Sequence, residues 1–294
     1  MALSDRVRLE GKVAVVAGAG SDLSGTGTGA AISVLMAMEG AKVVVADRAE
    51  DRADHTRQTI VGLGGECVAV TADVTSSRDC EAAVRTAVEN YDRIDVLVNN
   101  LGITRHGPTI DVSDEDWDEL LKVNLKAMML MSRHAIPEMI SRGGGSVINI
   151  SSTGAFRPSG GYAAYDAAKG GVVSLTIGLA VEHGRQGVRA NCIVPGRLLT
   201  PMASAVSDRA NRTDEQQRYF RSTNVLGSIG DAWDVGWTAV FLASDEARWI
   251  TGVTVPVDGG LLCTPPELGG LSSARPRSYS PPSLREQNST GSSG

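Results

Sequence analysis

A chain of 294 residues with 42% hydrophobic and 21% charged residues is long enough to bury a large core without metal or disulfide staples. Its formal net charge of −6 argues against generic binding to nucleic acid or to an anionic membrane surface, and no run approaches the roughly 18 apolar residues of a membrane span. The four cysteines, Cys67, Cys80, Cys192 and Cys263, form no CxxC pair and none has a histidine at ligand spacing, so reduced thiols and no bound metal are expected.

The first twelve residues alternate in charge and lack a basic segment followed by a long apolar one. No secretory leader is expected there, and a cytoplasmic location fits the reduced thiols. Short β-branched runs then recur at 13–16, 43–46, 67–70, 96–98, 147–150, 188–194 and 253–257. Most lack polar alternation, as strands of a parallel sheet covered on both faces do. Helix-like segments lie between them at 29–39, 49–63, 77–91, 114–142, 162–183 and 231–243. This alternation predicts an α/β fold with a doubly wound parallel sheet in a single domain, residues 1–263. Ser113 followed by Asp116 reads as a helix cap with an acid at N3, and Ser77 and Ser244-Asp245 read similarly. Residues 264–294 are rich in Pro, Ser and Gly. They predict a tail that is disordered or draped on a neighbouring subunit.

Between the first strand and the first helix lies a glycine-rich turn, Ala17-Gly18-Ala19-Gly20 through Gly25, Gly27 and Gly29. Such a turn lets backbone N–H groups approach a pyrophosphate, to which the helix N-terminus adds partial positive charge. The second strand ends in Asp47. An acid there accepts hydrogen bonds from ribose hydroxyls and repels a 2′-phosphate, favouring NAD over NADP; a helix-capping aspartate is the plainer alternative. Asp73-Val74 follows the third strand as a candidate adenine contact. Asn99-Asn100-Leu101-Gly102 places polar groups at the carboxyl end of a central strand, where ligands bind in this topology.

Tyr165 and Lys169 stand at positions i and i+4 and share a helix face. An adjacent ammonium is expected to lower the tyrosine pKa from about 10, so that the phenol exchanges a proton near neutrality. A surface pair is the alternative reading. Ser152, thirteen residues before Tyr165, follows a strand and is able to hydrogen-bond the same substrate oxygen; Asn124 is a polar residue among Val123, Leu125 and Met128.

Taken in order, these elements resemble the short-chain dehydrogenase/reductase family. They are Gly18…Gly27-x-Gly29, Asp47, Asp73, Asn99-Asn100-Leu101-Gly102, Asn124, Ser152, Tyr165-x-x-x-Lys169, Pro195-Gly196 with Thr200, and Val257-Asp258-Gly259-Gly260. The resemblance implies a Rossmann fold, hydride transfer to or from NAD, and a catalytic set of Asn124, Ser152, Tyr165 and Lys169. It further implies that Lys169 holds the nicotinamide ribose and that the 195–200 segment meets the carboxamide end. Gly18, Gly27, Gly29, Asp47, Asp73, Val74, Asn100 and Gly102 are then the remaining cofactor residues. The chain departs from the family in its glycine turn: eight residues separate Gly18 from Gly27, an insertion of five. Leu101 and Thr28 are bulkier or more polar than usual.

The expected reaction interconverts a secondary alcohol and a ketone. A 3-oxoacyl-thioester reductase and a non-catalytic dinucleotide sensor are the alternatives. Residues 201–225 are mixed and polar, as a substrate lid is, and Phe156, Tyr162 and His106 are candidate walls. Arg157, Arg197 and Arg212 are weaker candidates for recognising an anionic substrate. The two long helices are apolar on more than one face, which predicts a homo-oligomer, a dimer or a tetramer.

Overall fold

The computed structural model describes residues 7–21, 25–200, 218–219 and 221–264. Seven β-branched runs form seven parallel strands: β1 (Val13–Ala17), β2 (Lys42–Asp47), β3 (Cys67–Thr71), β4 (Val96–Asn99), β5 (Gly145–Ile150), β6 (Val188–Pro195) and, after two short strands, β9 (Thr254–Val257). Their order across the sheet is β3-β2-β1-β4-β5-β6-β9. The two short strands, β7 (Leu198–Leu199) and β8 (Gly230–Asp231), pair only with each other.

Alternate residues of each strand feed opposite cores. Val13, Val15, Leu97 and Val147 face one layer, with α3 (Ser77–Tyr91), α5 (Ala127–Ser141) and α6 (Ala163–His183). Ala14, Val16, Val98 and Ile148 face the other, with α1 (Thr28–Met38), α2 (Glu50–Gly62) and α7 (Ala232–Ala243). Helices α1 and α7 cross closely because Gly236 has no side chain; a Cβ there would lie 2.7 Å from Leu35 Cδ1.

The predicted helix 114–142 is α4 (Asp114–Leu121) and α5, joined without a break by a π turn at Lys122–Lys126. Ser113 caps α4, accepting from Asp116 N at 3.1 Å. Two expected caps require correction. Ser76, not Ser77, caps α3, with Asp79 at N3. Ser244 ends α7 and caps only a 3₁₀ turn, Asp245–Ala247, because the chain must turn at once towards β9.

The strand order reverses between β1 and β4, so their carboxyl ends open a crevice, the usual place for a ligand in this topology. No helix among the described residues is long and apolar enough to cross a membrane. The expected tail beyond Thr264, and most of the expected lid (Ser204, Asp208, Arg209, Arg212 and Phe220 included), lie outside the described residues.

Candidate active site

The crevice is floored by close backbone packing. Gly18 has φ +72°, and a Cβ on it would run into the carbonyl oxygen of Asn100. A Cβ on Gly29 would strike the Gly18 carbonyl oxygen and lie 2.6 Å from Asn100 Nδ2. Asn100 closes this corner, its amide donating to Gly18 O at 2.8 Å. Helix α1 starts with Gly27 as its cap residue, with no side-chain cap bond and no acid in its first turn. Its leading N–H groups therefore point from a short, uncapped, uncharged end, which suits a pyrophosphate.

Asp47 ends β2 with both carboxylate oxygens engaged. Oδ2 accepts from Gly20 N at 2.9 Å and Oδ1 from Ala49 N at 3.1 Å. It thus holds the short turn that leads from β2 into α2 and faces the glycine turn as well, and each oxygen keeps a lone pair for a further donor. Asp73 is exposed. The Thr75 N–H holds its carboxyl below the usual carboxylate range, with the charges of Lys122 and Arg48 adding to the effect; Val74 beside it is buried. At the other end of the crevice, Gly196 N donates to Val257 O at 2.9 Å, following Pro195. Gly102 and Thr200 are half-buried nearby in sequence to Leu101 and β7.

The phenol, hydroxyl and ammonium converge beyond β5. Ser152 caps the 3₁₀ turn Thr153–Ala155, its Oγ accepting from Gly154 N at 3.1 Å, and its hydroxyl bonds the Tyr165 phenol. Lys169, one helical turn on from Tyr165, is 3% exposed. Its Nζ donates to Leu101 O and Ile150 O, each at 2.9 Å, and lies 5.8 Å from the Tyr165 ring centre. Burial pushes the Lys169 pKa down to about 8. Asn124 sits in the π turn, fully buried; Oδ1 accepts from Ile103 N at 3.2 Å, and Nδ2 donates to Ile103 O at 3.0 Å and Leu120 O at 2.9 Å.

Several expectations change. Tyr165 is not brought down by Lys169. Burial raises its pKa above the usual phenol value, the Ser152 hydrogen bond works against that rise, and the Asp166 charge adds to it. The physical reason is that the same burial disfavours the ammonium, which turns to two backbone carbonyls. Asn99 is no ligand group: it is fully buried, donating to Asn149 Oδ1 at 2.8 Å. Arg157 donates to Leu261 O at 2.6 Å, so its guanidinium anchors the chain after β9. The Arg197 guanidinium lies 5.7 Å from the Tyr219 ring centre. His106 and Tyr162 meet edge to face with ring centres 5.0 Å apart, and Phe156 is exposed.

Other residues escaped the sequence reading. Ser151 donates to Lys169 O at 2.7 Å, fixing the strand end against α6. Asn149 donates to Thr176 Oγ1 at 2.9 Å, extending the Asn99 bond into a buried polar chain across β4, β5 and α6. A single asparagine inside an apolar strand was the available signal for it. Asp166 is buried beside the Ser152 turn, where a Cβ on Gly154 would meet its carboxylate.

Residues 23–262 match a family model described as enoyl-(acyl carrier protein) reductase. The chain is 36% identical over 256 residues to the 3-oxoacyl-[acyl-carrier-protein] reductase FabG of Thermotoga maritima, covering 87% of this chain and all of that protein. It is 39% identical over 253 residues to the 2,5-dichloro-2,5-cyclohexadiene-1,4-diol dehydrogenase LinX of Sphingobium indicum, covering 86% and 97% respectively. Among solved structures it superposes on a 7α-hydroxysteroid dehydrogenase complexed with NADH and 7-oxo glycochenodeoxycholic acid. The TM-score is 0.81 at 31% identity, covering 88% of this chain and 98% of that one.

Proposed function

The chain belongs to the short-chain dehydrogenase/reductase family, and from that premise we propose that it interconverts a secondary alcohol and a ketone with NAD(H). The observation that carries this reading is the convergence of the Ser152 hydroxyl, the Tyr165 phenol and the Lys169 ammonium at the carboxyl edge of the sheet. The nicotinamide ring, when bound, takes or supplies the hydride. Gly18, Gly27 and Gly29 with the α1 N-terminus hold the pyrophosphate, and Asp47 takes the adenosine ribose. Asp73, Val74, Asn100 and Gly102 line the adenine and ribose side; Pro195, Gly196 and Thr200 line the carboxamide end.

Ser152 hydrogen-bonds the substrate oxygen. Tyr165 rests as a phenol, since burial raises its pKa, and in the reductive direction it gives its proton to that oxygen. The oxidative direction is the reverse: the phenol first loses its proton to solvent, and the phenolate then takes the proton of the alcohol as the hydride leaves its carbon. Lys169, held by the Leu101 and Ile150 carbonyls, faces the ribose. Asn124 holds Ile103, two residues from the Leu101 carbonyl that Lys169 binds, and so places the ammonium. The chain acts on a small molecule, in the cytoplasm, as a homo-oligomer built across the outer face of α6. A single folded unit, residues 1–263, carries the activity, with the tail beyond it.

Titration of the protein with NADH and NADPH, then a screen of secondary alcohols and ketones, tests the reading. Tighter NADH binding and turnover of a ketone or alcohol support it; NADPH preference removes the Asp47 role. A second reading, reduction of a 3-oxoacyl thioester, is favoured by the likeness to the Thermotoga protein. Turnover of an acetoacetyl thioester with NADPH and not NADH would select it.

A further inference from the structure

We propose that Gly20 is a positioning residue for nucleotide choice: the backbone of residues 19–21, strapped to α2, holds the Asp47 carboxylate ready for ribose hydroxyls. This rests on the NAD reading of Asp47.

The strap is formed by the first residues after Gly18. Leaving Gly18, the chain runs over the end of β2 and onto α2. Ala19 N donates to Ala46 O at 3.3 Å and Ser21 N to Arg52 O at 3.2 Å. Thr56, 1% exposed, donates from Oγ1 to Ala19 O at 2.9 Å, with Ser21 Oγ at 3.4 Å from the same hydroxyl. These bonds press Gly20 between Asp47 and Arg52. A Cβ on it would lie 2.7 Å from both Asp47 Cγ and Oδ2, and 2.8 Å from Arg52 Cβ. Only a glycine brings its N–H to 2.9 Å from Asp47 Oδ2 here.

The consequence is preorganisation. With Gly20 on one oxygen and Ala49 on the other, the carboxylate has one orientation. A fixed acceptor loses little freedom when it binds a hydroxyl pair. A fixed negative charge also stands where a 2′-phosphate has to come, and repulsion at a few ångströms is not relieved by rotation. Without the strap the carboxylate rotates towards solvent, and both the attraction and the repulsion weaken. Gly20 therefore acts through Asp47, chiefly on the NADH affinity and through it on the ratio of the two affinities.

The test measures Kd for NADH and for NADPH by quenching of protein fluorescence, on the full chain without substrate. Gly20→Ala is expected to weaken NADH about tenfold, the worth of one hydrogen bond to a charged group, while NADPH changes less than about twofold. Thr56→Val frees the strap without adding bulk and is expected to lower the NADH preference in the same direction, by about threefold. In an Asp47→Ala background, both changes are expected to leave the NADH Kd within about twofold, since the group they act through is gone. Equal losses for both nucleotides, or undiminished losses without Asp47, overturn the proposal. If Gly20→Ala does not fold, the Thr56→Val pair carries the same comparison. A wild-type protein that binds NADPH as tightly as NADH overturns the NAD reading itself; a wild type that prefers NADH and keeps that preference in both variants overturns only the role of Gly20.

Discussion

A buried lysine held by two carbonyls, next to a tyrosine whose hydroxyl is also desolvated, sets a clear pH dependence. Below about pH 8 Lys169 is charged in the folded and the unfolded chain alike, and burial of that charge opposes folding. Between about 8 and the unfolded value of 10.5, the folded chain sheds its proton first. The unfolded chain then binds more protons, so stability rises with pH. The thiols of Cys80 and Cys192, each pushed up to about 11 by burial, act in the opposite sense in the upper part of this range. The measurement is therefore the urea unfolding free energy of the wild type minus that of Lys169→Met. It is expected to rise by about 1–2 kcal/mol from pH 7.5 to 9.5, and a flat difference would contradict the burial argument. For Tyr165→Phe, turnover is expected to fall by about 10²–10⁴ with NADH binding retained, read by steady-state rates beside fluorescence titration. Retained turnover in that variant removes the proton role. The identity and spacing of Ser152, Tyr165 and Lys169 were legible in the sequence. The direction of the tyrosine shift was not, because it depends on how much solvent the fold removes and on where the Lys169 ammonium turns.

At the level of elements, caps and turns decide where helices begin. Ser76 Oγ accepts from Asp79 N, and Asp79 also sits at N3. Ser76→Ala is expected to cost about 1 kcal/mol of unfolding free energy and Ser77→Ala less, checked by denaturant midpoints at constant slope. The acid at N3 was the signal: it lies three residues after Ser76, whereas Cys80 lies three after Ser77. The strands were legible because most of their short apolar, β-branched runs lack polar alternation, and each of the seven falls within two residues of its expected limits. The π turn was not legible. It adds one residue to a turn without changing composition or helical periodicity enough to show. Its effect is to turn Asn124 inward, where three backbone groups bind its amide. Asn124→Ala is expected to lower stability by about 2–3 kcal/mol and to lower turnover as well, since it frees the Ile103 loop that carries the Leu101 carbonyl. Thermal melting alongside the rate assay checks this; a loss of rate with no loss of stability contradicts the anchoring role.

For the molecule as a whole, the surface argues for a partner of its own kind. Ile177 and Val181 stand 46% and 78% exposed on α6, four residues apart and so on one face. The turn after α7 carries Trp249, 97% exposed, and a Cβ on Gly252 would lie 3.6 Å from Ala180 Cβ, so this turn abuts the last turns of α6. Scattered apolar residues need no explanation, but two branched side chains on one face of α6, and an exposed tryptophan in the turn that abuts the same end of the helix, leave apolar surface in one region. A patch that meets its own copy across a two-fold axis is covered twice by one contact, which is the least demanding way to bury it. The sequence hinted at this through apolar residues on several faces of the long helices, yet it gave no sign of Trp249, which lies in a turn whose exposure only the fold reveals. Light scattering on the eluted protein is expected to give two or four times the chain mass of 30.7 kDa. Val181→Asp combined with Trp249→Asp places two charges in the contact and is expected to lower that mass towards one chain with the circular dichroism unchanged. A wild type that elutes at the mass of one chain, or a double variant that keeps the wild-type mass, overturns the assignment of this face.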